Sequence, residues 1–185
     1  MPIREATYRR VALEEEDQTW ELWNGRLVQK PTGSLWHNQL AFMLAVYLHQ
    51  RLRRKGFDVR SSAGRLRRDS ANLYVPDCIV IPNEMAAKLR GNELELYSEP
   101  LPLVVEVWSP STGEYDVDEK LPEYQRRGDL EIWRLHPYDR TLIAWRRQED
   151  GTYIETTHTG GNVRLHAISG VTVDLDRLWA TLDDG

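Results

Sequence analysis

The sequence has very little cysteine and no long hydrophobic run. Of its 185 residues only Cys78 is a cysteine, which excludes an intrachain disulfide and any metal site built from several cysteines. The longest apolar run, around Ala41 to Leu48, is far shorter than the roughly 20 residues that a membrane-spanning helix needs. Secreted disulfide scaffolds, zinc fingers and membrane proteins are therefore not expected.

Several familiar motifs are absent as well. The chain contains no phosphate-loop motif, dinucleotide fingerprint or nucleophile elbow, and no repeat or low-complexity tract. Its first residues are charged rather than apolar, so we expect no signal or transit peptide. We predict a single cytoplasmic domain over 1–185, with a hairpin and long helix at 19–56, a catalytic core at 57–147 and C-terminal strands and a helix at 148–185.

The chain also lacks an excess of positive charge. Its 24 Lys and Arg stand against 29 Asp and Glu, a net charge of −5, which argues against nonspecific coating of nucleic acid. Between residues 51 and 69, however, basic residues outnumber acidic ones by eight to two. This strip is typical either of a phosphate-binding surface or of the solvated faces of a helix end and two strands. The candidate nucleic-acid contacts in it are Arg53, Arg54, Lys55, Arg65, Arg67 and Arg68.

The apolar pattern predicts an α+β fold in which a central mixed β-sheet is flanked by helices. Asn24-Gly25 between two short runs indicates a hairpin over 19–30, and Ser34 and Gly56 bound the clearest helix. The other expected elements are strands at 57–62, 64–68, 72–81, 101–108, 130–135, 141–147 and 153–157, and helices near 84–90, 118–127 and 174–182.

Two acidic residues interrupt strongly apolar strands. Glu106 shares a strand face with Val104 and Trp108, and Asp77 shares one with apolar neighbours, where an ionised carboxylate is costly unless a cation compensates it. Two such acids favour a site for a hard cation such as Mg²⁺. The alternative is a pair of buried, hydrogen-bonded acids with no further role.

A lysine on the following helix supplies a positive charge. Asp116, Lys120 and Tyr124 are spaced four apart and would share one helix face, from which Lys120 could point toward Glu106. The alternative is a simple ion pair between Lys120 and Asp116.

These residues resemble the Uma family of restriction-endonuclease-like proteins, a bacterial branch of the PD-(D/E)xK nuclease superfamily. The resemblance covers roughly residues 20–145. It rests on an ordered series: Pro76-Asp77, Glu106, Ser109-Pro110-Ser111-Thr112, Tyr115-Asp116, Lys120, Tyr124, Gly128 and Trp133.

The resemblance implies a restriction-endonuclease-like core that hydrolyses DNA with Mg²⁺ or Mn²⁺. Asp77, Glu106 and the backbone carbonyl of Val107 would hold the metal, and Lys120 would orient the attacking water. Trp108 departs from the superfamily pattern, because the Glu-x-Lys motif has a lysine there. A homodimer is expected, since one small site usually needs a second protomer to cut a duplex.

Two further residues occupy positions that the family uses. Glu21 in the hairpin is an additional acid that either reaches the site or faces water, and His37 either contacts substrate or caps the long helix. Two other functions stay open: a non-catalytic nuclease-fold module that binds nucleic acid or assists a partner, and a glycosidase with paired carboxylates, which nothing else in the sequence supports.

Overall fold

A computed structural model describes residues 2–15, 17–89, 91–111 and 119–183. The helices of this part of the chain are α1 (Glu5–Glu14), α2 (Leu35–Leu52), α3 (Asn83–Ala86), α4 (Leu121–Arg127) and α5 (Leu175–Ala180). The strands are β1 (Trp20–Trp23), β2 (Arg26–Gln29), β3 (Phe57–Ser61), β4 (Arg65–Asp69), β5 (Asn72–Tyr74), β6 (Cys78–Pro82), β7 (Leu96–Tyr97), β8 (Leu103–Val107), β9 (Glu131–His136), β10 (Thr141–Arg147), β11 (Tyr153–His158), β12 (Asn162–Arg164) and β13 (Thr172–Asp174).

The strands form two large sheets and one small one. The larger sheet has the order β11-β10-β9-β8-β6-β3, in which β8 and β9 are parallel and the other pairs antiparallel. The second sheet has the order β2-β1-β5-β4-β7, and β12 pairs with β13. The predicted α+β fold, with a mixed sheet flanked by helices, is confirmed.

Apolar clusters cover both faces of the larger sheet. On one face α2 packs through a stripe at helical spacing, Leu40, Leu44 and Leu48, all fully buried. On the other face Val104 of β8 packs with Tyr124 of α4 and with residues of the second sheet. The larger sheet is thus buried on both sides, and any polar group on its inner strands needs a specific partner.

The hairpin and the start of the long helix are as expected. Asn24 and Gly25 have φ angles of 44° and 72°, the two positive values that a type I′ turn between β1 and β2 requires. Ser34 caps α2, because its Oγ accepts a hydrogen bond from the His37 N–H at 3.3 Å. The cap fixes the first turn of α2 and with it the position of the His37 ring.

The strand predicted over 72–81 is wrong, because the chain changes sheets within it. Residues 72–74 form β5 of the second sheet, and residues 78–82 form β6 of the larger sheet. Pro76 has no N–H for a strand ladder, and the N–H of Val75 is donated to the Glu21 carboxylate at 2.8 Å. Asp77 therefore lies at the crossing between the two sheets.

Other boundaries differ in smaller ways. The helix α3 ends at Ala86, shorter than expected, and α4 begins at Leu121 because Pro122 is compatible only with the first helical turn. The helix α1 was not predicted, since it buries only Tyr8 and has a weak apolar stripe. The short strands β7, β12 and β13 were also missed. The division of the chain at 19–56, 57–147 and 148–185 stays a prediction.

None of the helices in the described ranges combines the length and the apolar content that a bilayer crossing requires.

Candidate active site

Five charged side chains meet where the two sheets approach each other. Glu21 comes from β1, Lys30 follows β2, Asp77 precedes β6, Glu106 lies in β8 and Lys120 directly precedes α4. Both Asp77 and Lys120 are only 1% exposed. Buried charges at this density persist only when each is paired with an opposite charge.

Asp77 and Glu106 lie opposite each other on neighbouring strands. Cys78 of β6 pairs with Val105 of β8 in the antiparallel register. Asp77, which precedes Cys78, therefore lies opposite Glu106, which follows Val105. Two like charges directly across a strand pair repel each other, and here both are buried. A buried pair of this kind is stable when a cation lies between the two groups or when one of them is protonated.

Lys30 is the lysine that contacts both carboxylates. Its Nζ lies 2.7 Å from Asp77 Oδ1 and 3.9 Å from Glu106 Oε2, and it also donates to the Val75 carbonyl at 2.6 Å. Burial alone would lower the pKa of Lys30, but the charges of Asp77 and Glu106 outweigh it and raise the pKa. Lys30 is therefore a stable ammonium group between the two acids.

Asp77 accepts hydrogen bonds at both of its oxygens. Besides Lys30, the Val107 N–H donates to Oδ2 at 2.7 Å and His37 Nε2 lies 3.0 Å from the same oxygen. Burial would raise the pKa of Asp77, but the charge of Lys30 and the bond to His37 lower it well below its usual range. Asp77 is thus held as a carboxylate.

Glu106 is tied to α4. Its Oε1 accepts a hydrogen bond from the Tyr124 hydroxyl at 2.5 Å and lies 3.3 Å from Lys120 Nζ. Lys120 Nζ also lies 3.0 Å from Glu21 Oε1. Lys120 therefore bridges an acid of the second sheet to an acid of the larger sheet.

His37 joins the site from the first turn of α2. Its Nε2 contacts Asp77 and its Nδ1 lies 3.0 Å from Asn38 Oδ1, so both ring nitrogens face oxygen atoms. Burial would lower the pKa of His37, but the hydrogen bond to Asp77, the negative charge of Asp77 and the hydrogen bond to Asn38 together outweigh it and raise the pKa. The ring is therefore biased toward its positively charged form.

A polar cleft of about 200 Å³ opens onto one side of the charged cluster. Lys30, His37 and Asp77 line its floor, and Thr19, Thr32 and Ser62 contribute to its walls. A substrate group entering the cleft would meet Lys30 and His37 directly.

The structure brings most of the predicted residues together and adds one that was missed. Asp77, Glu106 and Lys120 meet with Glu21, His37 and Tyr124 in a single cluster. Asp116, predicted on the same helix face, lies outside the described residues.

Lys30 was missed, although the hairpin carries a signal for it. The Asn24-Gly25 turn sets a register in which Glu21 pairs with Val28. Lys30 follows Val28 by two residues and so projects to the same face as Glu21. Extending the strand alternation one step past the hairpin would have placed a lysine on the same face as Glu21. Its contacts with Asp77 and Glu106 depend on how the hairpin docks.

The six candidate contacts of the basic strip lie on two different elements. Arg53, Arg54 and Lys55 follow α2, and Arg65, Arg67 and Arg68 belong to β4. The first group is exposed, but lies about 24 Å along the helix axis from His37.

The second group of the basic strip is engaged within the protein. Arg67 pairs with Glu5 at 3.0 Å, Arg68 pairs with Glu123, and Arg65 donates to the Ala63 carbonyl at 2.6 Å. DNA binding by the six residues stays a prediction.

The donor set fits a divalent metal that takes part of its ligands from outside the protein. A single cation, the Lys30 ammonium, already spans Asp77 and Glu106, and Mg²⁺ typically takes one or two carboxylates together with water and substrate phosphate. No group of three or more His, Cys, Asp or Glu in the described ranges could hold a metal by itself. The described contact of Val107 with Asp77 is made by its N–H, so the predicted role of its carbonyl stays a prediction.

Comparison with known proteins supports the resemblance seen in the sequence. The sequence profile of the Uma2 family, described as "Putative restriction endonuclease", matches residues 6–176. The crystal structure of a protein from Anabaena variabilis, described as a "putative nuclease belonging to DUF820", is similar in fold, with 16% identity, a TM-score of 0.78 and coverage of 98% of this chain and 99% of the other. No curated protein matches the chain. Since the family profile spans nearly the whole sequence, the chain belongs to the Uma2 family.

Proposed function

We propose that the protein is an endonuclease that hydrolyses DNA phosphodiester bonds with Mg²⁺ or Mn²⁺. The observation that carries this proposal is the buried, opposed pair Asp77 and Glu106, whose two carboxylates are both contacted by one cation, the Lys30 ammonium. In a nuclease family, such a pair is suited to hold a metal ion against a DNA phosphate.

Asp77 and Glu106 are the proposed metal ligands, with the Val107 carbonyl as a third. When bound, the ion polarises the phosphate and lowers the pKa of water. His37 keeps Asp77 oriented through its 3.0 Å contact, and the Tyr124 hydroxyl does the same for Glu106.

The two lysines receive different roles. Lys30 lines the cleft beside Asp77, so we assign to it a contact with the phosphate of the substrate. Lys120 is 1% exposed and bridges Glu21 to Glu106, which suits a positioning residue better than a group that activates water. This assignment differs from the sequence-based expectation, in which Lys120 was the lysine that orients the water.

A second candidate function is that of a non-catalytic nucleic-acid-binding or accessory module. The position of Lys30 favours it, because an ammonium group already balances the two acids without a metal. The two functions differ in one measurable property, since only the nuclease needs a divalent ion.

Nicking of supercoiled plasmid tests the proposal. We expect the protein to nick plasmid with Mg²⁺ or Mn²⁺, to stop when the metal is chelated, and to lose activity by about 10²–10³-fold in Glu106→Gln, since the ion's electrostatic contribution is several kcal/mol. Glu149→Gln, the same change at an exposed residue, is the matched control. Equal nicking by Glu106→Gln and the wild type would refute the role of Glu106.

The expected homodimer and cytoplasmic location belong to the same proposal. A dimer would place two sites on opposite strands of a duplex. A molar mass of one chain by light scattering, at concentrations that cut both strands, would contradict it.

A further inference from the structure

A row of side chains leads away from Glu106 along one face of the larger sheet. In the parallel pairing of β8 with β9, Glu106 lies opposite Arg134, and the Trp108 N–H continues the ladder to the Leu135 carbonyl at 2.8 Å. Because strand residues alternate, Trp108 and His136 come next on the same face as Glu106 and Arg134. The acid of the site is therefore followed, about 7 Å further along the strand, by two aromatic rings.

These rings form an ordered cluster, which we call the aromatic platform: Trp108, His136 and Tyr138. Trp108 and His136 stack with ring centroids 4.2 Å apart at 28°, and Tyr138 meets Trp108 edge-on at 5.5 Å and 83°. Tyr138, in the turn between β9 and β10, is 44% exposed.

Contacts on two sides hold the platform in place. The Tyr138 hydroxyl lies 3.1 Å from Ser34 Oγ, the cap of the helix that carries His37. On the other side the Asp139 N–H donates to His136 Nδ1 at 3.0 Å. Burial lowers the pKa of His136, which keeps its ring neutral and suited to stacking. The platform is thus anchored to the segment that positions Asp77 as well as to the strand of Glu106.

The place of Trp108 bears on the substrate. It stands two residues after Glu106, where the Glu-x-Lys motif has a lysine, so an aromatic ring lies next to the acid of the site. Aromatic side chains recognise the flat face of a base, and in a duplex the faces of the bases are covered by their stacked neighbours. Arg134, on the same face, adds a positive charge that suits the backbone of such a strand.

We propose that the aromatic platform stacks an unpaired base next to the cleaved phosphate, so that the protein prefers single-stranded or frayed DNA to an intact duplex. This inference rests on the proposed nuclease function for its location, but it concerns binding and can be tested without cleavage.

The test compares the affinity of a 15-nucleotide thymidine oligomer with that of a blunt 15-base-pair duplex, measured by fluorescence anisotropy without divalent metal. Tyr138→Leu removes the exposed ring, and Tyr138→Phe keeps the ring but removes the hydroxyl. We expect Tyr138→Leu to weaken binding of the single strand by about 5- to 100-fold and that of the duplex less than about twofold, because stacking on one aromatic residue accounts for such a change. Tyr138→Phe should retain most of the single-strand affinity, and Ile154→Ser, at an exposed apolar residue of β11, serves as the surface control.

The outcomes separate this inference from the nuclease proposal. An unchanged single-strand affinity in Tyr138→Leu, an equal loss for both ligands, or no single-strand binding by the wild type would overturn the platform, whatever the nicking assay shows. A selective loss of single-strand binding together with absent nicking would support the platform while refuting the nuclease. The same loss together with nicking that persists after chelation would support the platform and refute the metal dependence.

Discussion

Replacing Asp77 with asparagine is expected to lower metal-dependent DNA cleavage by about 10²–10³-fold. Asparagine has the same size and shape, so the change removes a charge and two acceptor sites without creating a cavity. Asp77 is the proposed metal ligand that lines the cleft. Without its charge, Glu106 would be the one remaining carboxylate of the proposed metal site.

The same change should also destabilise the protein. Lys30, His37 and the Val107 N–H all approach Asp77 within 3.0 Å, and an amide has one acceptor oxygen while its NH₂ group must face at least one of these donors. Removing one partner from a buried ion pair typically costs about 3–5 kcal/mol.

Cleavage is therefore compared at a temperature at which circular dichroism shows both proteins folded. Asp183→Asn, the same change at a carboxylate that is 56% exposed, is the matched control. If folded Asp77→Asn nicks plasmid within about threefold of the wild-type rate, well short of the loss expected for a metal ligand, Asp77 is not one.

Lys120→Met is expected to reduce the free energy of unfolding by about 3–5 kcal/mol, since it leaves Glu21 and Glu106 buried without the cation that joins them. Methionine preserves much of the apolar stem, so the loss reports mainly on charge. A matched control is Lys88→Met, because the Lys88–Glu99 pair spans 3.6 Å with side chains 68% and 55% exposed, where a cost below about 1 kcal/mol is expected.

Urea unfolding measures both variants. The pairing also predicts non-additivity: Lys120→Met combined with Glu21→Gln should cost less than the sum of the two single changes, because the second removes the charge that the first leaves unpaired. Equal costs for Lys120→Met and Lys88→Met would show that Lys120 is not the buried bridge between the sheets.

Much of the fold follows from local patterns in the sequence. The turn at Asn24-Gly25 and the cap at Ser34 were predictable because each depends on a few adjacent residues with a specific conformational preference. The unusual acids Asp77 and Glu106 were also visible, since an ionised group in an apolar strand is costly wherever the strand lies.

What the sequence could not show depends on contacts between distant segments. Pro76 signals a break in the strand ladder, but the crossing between the two sheets depends on a partner of Val75, Glu21, that is more than fifty residues away. The role of Lys30 required the hairpin to be docked against β6.

Calorimetric binding of Mn²⁺ examines the proposed metal site without requiring the natural DNA sequence. Wild type, Glu106→Gln and the Glu149→Gln control are titrated with and without the thymidine oligomer, because the site is expected to take part of its metal ligands from a phosphate. We expect one Mn²⁺ per chain in wild type and control, tighter binding with the oligomer, and affinity weaker by at least about tenfold in folded Glu106→Gln. Equal Mn²⁺ binding by Glu106→Gln, or none by the wild type even with the oligomer, would contradict a metal site at Asp77 and Glu106.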